Sequence, residues 1–239
     1  MGMTDRDLEG WTIAFDLDGT LVDSAPDLVG TLNRLLVEEG LPMVAPGSAS
    51  TLIGSGARAL LVHGFEAAGA DVERARSDAL FERFLADYTA HIADGSRPFE
   101  GVAETLDRLK ARGARLVVAT NKRSDLSELL LRRLDLIDRF EAVVGPDRVS
   151  ARKPSGAHLK EAVIKAGGDP EQAIMVGDAA PDAEAARDAG MACILTTFGY
   201  TPTPVESLGG DVLIDHFEDV EEAIDGLLSD FYVLRALKF

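Results

Sequence analysis

Five short apolar runs without polar alternation constrain the fold of this chain most: Thr12–Leu17, Arg115–Ala119, Ala142–Val144, Ala173–Val176 and Ala192–Leu195. A strand with one wet face alternates apolar and polar residues. Runs that do not alternate belong to strands buried on both faces, as in a parallel sheet whose crossover helices cover both sides. The segments between them have helical spacing. Val102, Leu106 and Leu109 mark one helix, and Leu126, Leu129 and Leu130 the next. Leu159, Val163 and Ile164 mark a third, and Ala183, Ala186 and Ala189, stopped by Gly190, a fourth. Strand and helix alternate from Gly101 onward, which predicts an α/β, doubly wound parallel sheet of Rossmann-like form.

One stretch breaks the alternation. From Ser24 to Ile92 there is no strand pattern. Leu28, Leu32, Leu35 and Leu36 have helical spacing, with Ser24 placed to cap and Pro26 in the first turn. Gly40 and Pro42 end that helix, Gly54-Ser55-Gly56 interrupts the next part, and Leu80, Phe84, Tyr88 and Ile92 line another. A helical insert of this length is too long for a loop and reads as a second, smaller domain. The expected division is a core of residues 1–23 and 95–239 and a helical domain of residues 24–94, returning through the turn-rich Asp94-Gly95-Ser96-Arg97-Pro98.

The most informative chemistry lies at the strand ends. Phe15-Asp16-Leu17-Asp18-Gly19-Thr20 places two carboxylates where the first strand stops, and Gly19 permits a turn that lets them converge. Carboxylates that close have coupled protonation, which suits an acid and a base in a two-step substitution. On its own the hexapeptide also fits a solvated turn. The other strand ends favour the chemical reading. Thr120 can donate to a phosphoryl oxygen, and Asn121 stands where a helix begins, an anion-binding position. Lys153 is a compact point charge suited to the same oxygens. Asp178, with Asp182 four residues on, adds hard oxygen ligands of the kind magnesium prefers.

Charge sharpens this requirement. The 239-residue chain has 24 Lys+Arg against 41 Asp+Glu, a formal net charge of -17. Such a field repels nucleic acid and anionic membranes and gives no long-range help to an anionic substrate. A phosphate site must then be built from local devices: a metal, a lysine and backbone amides.

In this order the motifs resemble the haloacid dehalogenase superfamily, in the branch with a helical (C1) cap between the first two motifs, over Phe15 to about Ile214. The resemblance implies an aspartyl-phosphate mechanism with Asp16 as nucleophile and Asp18 as acid and then base. Thr120 and Lys153 would orient and neutralise the transferring group. Magnesium would be held by Asp16, the Asp18 backbone carbonyl and Asp178, with Asp182 supporting. Asp18 argues against the carbon-halogen-cleaving members, which lack a second acid there. The absence of any lysine between Ser24 and Ile92 argues against the phosphonate-cleaving members. Leu21-Val22-Asp23-Ser24 and Ile53-Gly54-Ser55-Gly56-Ala57 are similar to the phosphoglycolate phosphatase branch. The chain departs from the family in reading Lys153-Pro154-Ser155-Gly156 for Lys-Pro-x-Pro, and Ala179 where a serine often follows Gly-Asp. A β-phosphoglucomutase-like phosphotransferase or a sugar-phosphate phosphatase is the alternative enzyme. A catalytically silent regulator is the non-enzyme alternative, against which Asp16, Asp18, Lys153 and Asp178 all stand.

The expected substrate is therefore a small phosphorylated metabolite. Arg58, after the glycine-rich break, is a candidate to meet it beyond the phosphate, together with the Gly56 amide. The four histidines, His63, His91, His158 and His216, lack metal-ligand spacing, and Cys193 reads as a core residue. Asp5, Arg6, Asp7 and Glu9 leave no apolar run in Met1–Gly10, so a cytoplasmic monomer or homodimer is expected. The apolar end Phe231–Phe239 is expected to dock on its own domain or on a second subunit.

Overall fold

The structure, a computed structural model, describes residues 8–45, 53, 56–70 and 72–236. In chain order its strands are β1 (Thr12–Phe15), β2 (Val22–Asp23), β3 (Arg97–Pro98), β4 (Arg115–Ala119), β5 (Ala142–Val144), β6 (Ala173–Gly177), β7 (Ala192–Thr196) and β8 (Val212–Ile214). Six of them form one sheet in the order β5-β4-β1-β6-β7-β8, with every neighbouring pair parallel. The chain steps outward from β1 through β4 and β5, then returns to β6 and steps out the other way. The reversal beside β1 is a topological switch point, where sheets of this kind open a crevice at their carboxyl ends.

The absence of alternation in the runs has a direct cause. Successive side chains point to opposite faces, and here both faces are apolar. Ile13, Phe15, Val118, Ile174 and Val176 belong to one core cluster; Ala14, Val117, Met175 and Cys193 belong to the other. Helix Val102–Ala111 covers the first face with Val102, Leu106 and Leu109. Helices Gly156–Lys165 and Ala180–Ala189 cover the second with Leu159, Val163, Ala183 and Ala186. Ile164, grouped with Leu159 by spacing, instead faces solvent at 60% exposure.

β2 and β3 were not expected, β3 lying in the return read as turn-rich, and two strands of the main sheet also depart from expectation. β1 stops at Phe15 because the chain turns back at once: Asp18 bridges to Val22, and Gly19 takes φ +88° between them. β8 was not predicted. It is a three-residue edge strand whose Leu213 is 39% exposed, so it lacks the buried run that marks the others.

Between Ser24 and Ile92 the regular structure of the described residues is helical, in Ala25–Glu38, Ala57–Ala67, Val72–Ala75 and Asp78–Ala90. These helices pack on one another through buried Leu32, Leu36, Leu60, Phe65 and Phe84. Gly64 is where two of them meet closely, since a Cβ there would lie 2.4 Å from Leu32. Ser24 precedes the first helix as expected, but its hydroxyl caps nothing; it donates to Asp18 Oδ1 at 2.6 Å. The insert leaves and re-enters the core side by side, because β2 and β3 pair antiparallel, Val22 against Pro98 and Asp23 against Arg97. Buried Asp27 ties the two crossings, accepting from the Gly95 and Ser96 amides, each at 2.7 Å, and from Ser96 Oγ at 2.6 Å. The C-terminal helix Val220–Ala236 closes the described chain; the contacts expected of Phe231–Phe239 lie outside the described side chains. Among the described residues no helix is long and apolar enough to cross a membrane.

Candidate active site

The carboxyl ends of β1, β4 and β6 bring most of the predicted residues to one place. Lys153, arriving just before helix Gly156–Lys165, is the hub. Its Nζ, almost fully buried, lies 2.9 Å from Asp16 Oδ1 and 2.6 Å from Asp182 Oδ1. Burial works against its charge, yet Asp16 and Asp182 outweigh burial and hold the ammonium above its ordinary pKa. Asp182 also accepts through Oδ2 from the Asp178 and Ala179 amides, at 3.2 and 3.1 Å. It thereby satisfies the start of its own helix while anchoring the lysine.

Asp178 stands at the end of β6. Its Oδ1 accepts from Thr20 Oγ1 at 2.9 Å and its Oδ2 from the Tyr200 amide at 2.7 Å. The fit is tight enough to require glycine on either side. A Cβ on Gly19 would lie 2.6 Å, and one on Gly199 2.2 Å, from Asp178 side-chain atoms. Burial raises the Asp178 pKa well above the usual carboxylate range, and the charges of Asp182 and Asp16 push the same way. Asp16 is raised to about 6, first by burial and then by Asp182 and Asp18, with Lys153 opposing.

This cluster suits a hard cation. Asp16, Asp178 and Asp182 each offer an oxygen, all within 4.8 Å of one another. Asp16 Oδ1 is buried and close to Lys153 Nζ, but it has no aligned hydrogen bond. Asp182 is bound to the Lys153 ammonium and to two backbone amides, and Asp178 to one hydroxyl and one amide, so Asp16 is the carboxylate with the freest oxygen for an ion. The donors are all oxygen, as magnesium or another hard divalent ion prefers. The Asp18 carboxylate is not part of the cluster. It turns toward Ser24 and Lys122, leaving only its backbone carbonyl for the ligand role implied by resemblance.

A cavity of about 310 Å³ opens over these groups. Asp16, Asp18, Thr120 and Asn121 line its floor, and Gly56, Arg58, Phe81 and Tyr88 of the helical insert line its roof. Thr120 is buried, and its Oγ1 accepts from the Lys122 amide at 3.2 Å. Asn121 donates from Nδ2 to the Lys153 carbonyl at 3.0 Å and leaves Oδ1 without a partner. Arg58 lies over the Phe81 ring, 4.1 Å from its centroid, and pairs with Asp78 at 2.9 Å. Gly56 has φ +89°, with open space where a side chain would stand. Gly54 and Ser55, the rest of the glycine-rich break, lie outside the described residues.

Two residues escaped the sequence reading. Lys122 sends Nζ to Asp18 Oδ1 and Oδ2 at 2.9 and 3.0 Å and to Tyr88 Oη at 2.7 Å. The sequence marks Tyr88 only as part of a helix face. The available signal was a lysine directly after Thr120-Asn121 in a chain with six lysines in all.

Comparison with known proteins agrees with this geometry. The family model described as haloacid dehalogenase-like hydrolase matches residues 13–196. The phosphoglycolate phosphatase of Caulobacter vibrioides is 51% identical over 224 residues, covering 94% of each chain. That of Agrobacterium fabrum is 42% identical over 222 residues, covering 93% of this chain and 95% of its own. The crystal structure of a predicted phosphoglycolate phosphatase from Haemophilus somnus superposes with a TM-score of 0.81 at 31% identity, covering 93% of this chain and all of the other. A parallel sheet reversing beside β1, acids at its strand ends and a matching family model over most of the chain lead to one assignment: this protein belongs to the haloacid dehalogenase-like hydrolases.

Proposed function

We propose that the protein is a phosphatase that hydrolyses 2-phosphoglycolate through a phosphorylated Asp16. The observation that carries this reading is the position of Asp16: on the floor of the cavity, beside buried Lys153, at the switch point of the sheet. The names of the Caulobacter and Agrobacterium relatives support the choice of substrate.

In the first step an Asp16 carboxylate oxygen attacks phosphorus and the bond to the leaving oxygen breaks. That oxygen takes a proton from Asp18. In the second step water attacks the aspartyl phosphate, Asp18 receives its proton, and the electron pair of the breaking P–O bond returns to the Asp16 carboxylate. Splitting one substitution into two eases a slow reaction. Lys153 offers a fixed positive charge to the transferring group, with Thr120 and Asn121 to orient its oxygens. A magnesium ion held by Asp16, Asp178 and the Asp18 carbonyl would neutralise charge between two anions, as the metal of such phosphatases does.

Residues 24–94 act as a cap over a core of residues 1–23 and 95–239, and the cap's roof selects the leaving group. Arg58 is the cation available to the glycolate carboxylate. Its pairing with Asp78 is half exposed, a kind of ion pair worth about 0–1 kcal/mol, and so is readily exchanged. The test is direct. Asp16→Asn should abolish hydrolysis of 2-phosphoglycolate, and acid-quenched wild-type protein should carry phosphate on Asp16 by mass spectrometry. Turnover by the asparagine variant would overturn the assignment.

A further inference from the structure

The Asp18 carboxylate is gripped from both ends of the helical insert. Ser24, where the insert leaves the core, donates to Oδ1 at 2.6 Å. Tyr88, in the last helix before the insert returns, reaches it through Lys122, whose Nζ lies 2.7 Å from Tyr88 Oη and within 3.0 Å of both Asp18 oxygens. The ammonium also sits over the Tyr88 ring, 4.6 Å from the centroid. The Lys122 side chain is 7% exposed and Tyr88 1%, so neither is a surface pair traded freely with water.

We infer that Lys122, braced by Tyr88, is a positioning residue. It fixes the Asp18 carboxylate for the water-activating half of the reaction and makes that half depend on the seating of the insert. The inference rests on the reading of Asp18 as acid and base. Lys122 neither gives nor takes a proton in either step; it supplies two hydrogen bonds that stop the carboxylate from rotating. In the second step an Asp18 oxygen must face a water whose oxygen is forming its bond to phosphorus, and misplacement of about 1 Å at such a point can cost roughly a hundredfold in rate. The first step has a way around this requirement. A nitrophenolate leaves without needing a proton, so with 4-nitrophenyl phosphate the formation of phospho-Asp16 depends little on Asp18.

Loss of Lys122 therefore separates the two half-reactions, and rapid-quench kinetics with 4-nitrophenyl phosphate and magnesium reads the separation. Lys122→Met should give a burst of nitrophenolate close to one equivalent, phosphoenzyme accumulating above the wild-type level, and steady turnover lower by roughly ten- to a hundredfold. Tyr88→Phe removes only the brace's hydroxyl and leaves the ring packed. It should show the same pattern more weakly, and it serves if the methionine variant fails to fold. Asp18→Asn is the reference and should accumulate phosphoenzyme too. If Asp18→Asn accumulates it while Lys122→Met and Tyr88→Phe slow both steps equally, or neither, the role given to Lys122 is wrong. If Asp18→Asn itself shows no accumulation, the reading of Asp18 fails, and this inference with it.

Discussion

Replacing Asp16 by asparagine should stabilise the metal-free protein while it abolishes activity. Asp16 is a buried acid whose pKa is raised from 3.8 to about 6, first by burial and then by its acidic neighbours. A folded-state pKa above the unfolded one means that ionisation opposes folding. The cost is absent below pH 3.8, grows between pH 3.8 and about 6, and is full above that. About two pK units correspond to roughly 3 kcal/mol at neutral pH. Asparagine keeps the shape and removes the charge. Lys153 loses one partner but keeps Asp182 at 2.6 Å, so the net gain should be smaller, roughly 1–3 kcal/mol. Urea unfolding of both proteins in excess chelator, at pH 7.5 and again at pH 4, measures it. The variant should be more stable at pH 7.5, with the gain shrinking toward pH 4. A variant no more stable than wild type at pH 7.5 would show that Lys153 compensates the carboxylate fully, and a gain undiminished at pH 4 would show that Asp16 ionisation is not its source; either would refute the reasoning.

Other expectations follow from the same geometry. Asp178→Ala should weaken magnesium activation and lower turnover, while chelator should silence the wild type and added magnesium restore it; full wild-type activity in chelator would contradict the metal assignment. Arg58→Ala should lower kcat/KM for 2-phosphoglycolate by roughly ten- to a hundredfold, the loss of one charge-assisted contact of about 1.5–3 kcal/mol, and spare 4-nitrophenyl phosphate. Equal losses on both would remove Arg58 from substrate selection. His158 is buried and donates from Nε2 to the Val144 carbonyl, leaving Nδ1 unpartnered. Burial, with help from Lys153, lowers its pKa to about 4, so its contribution to stability is full above pH 6.5 and is lost as pH falls from 6.5 to about 4. The stability of wild type relative to His158→Gln should accordingly drop by up to about 3 kcal/mol over that interval, as chemical denaturation at each pH would show.

What could be read from the chain depended on whether its cause was local. The sheet was legible because strands buried on both faces must be written as unbroken apolar runs, and Ile13 to Phe15 or Ile174 to Val176 can be little else. Asp16, Thr120, Lys153 and Asp178 were legible because each follows such a run or opens the next helix. β8 was not, since three residues at a half-exposed edge carry no such pattern. Ser24 was misread for a related reason. Its place ahead of a helix signals a cap, but Asp18, brought back by the turn at Gly19, takes the hydroxyl first. Lys122 and Tyr88 meet across 34 positions from two different elements, and no spacing rule connects a helix of the insert to the end of β4. Arg58, a candidate to meet substrate, lines the cavity, yet its partners Asp78 and Phe81 could not be foreseen from the glycine-rich break before it.

The pairing of β2 with β3 has a consequence for how this protein can be rebuilt. Because the outgoing and returning strands are hydrogen-bonded neighbours, the whole excursion from Ser24 to Ser96 begins and ends at one gap of roughly 5 Å, the spacing of adjacent strands. Geometrically that gap is a socket. A two-residue turn would close it as readily as a helical domain does, and Asn-Gly is the natural closure. A chain trimmed in this way should still form the six-stranded sheet, with the strand ends laid open to water. Foreign roofs could be grafted at the same joint, provided each brings its own counterpart of Asp27 to hold the two edges together. On the function proposed above, the architecture would separate the part that performs the reaction from the part that chooses what enters, and leave the second exchangeable.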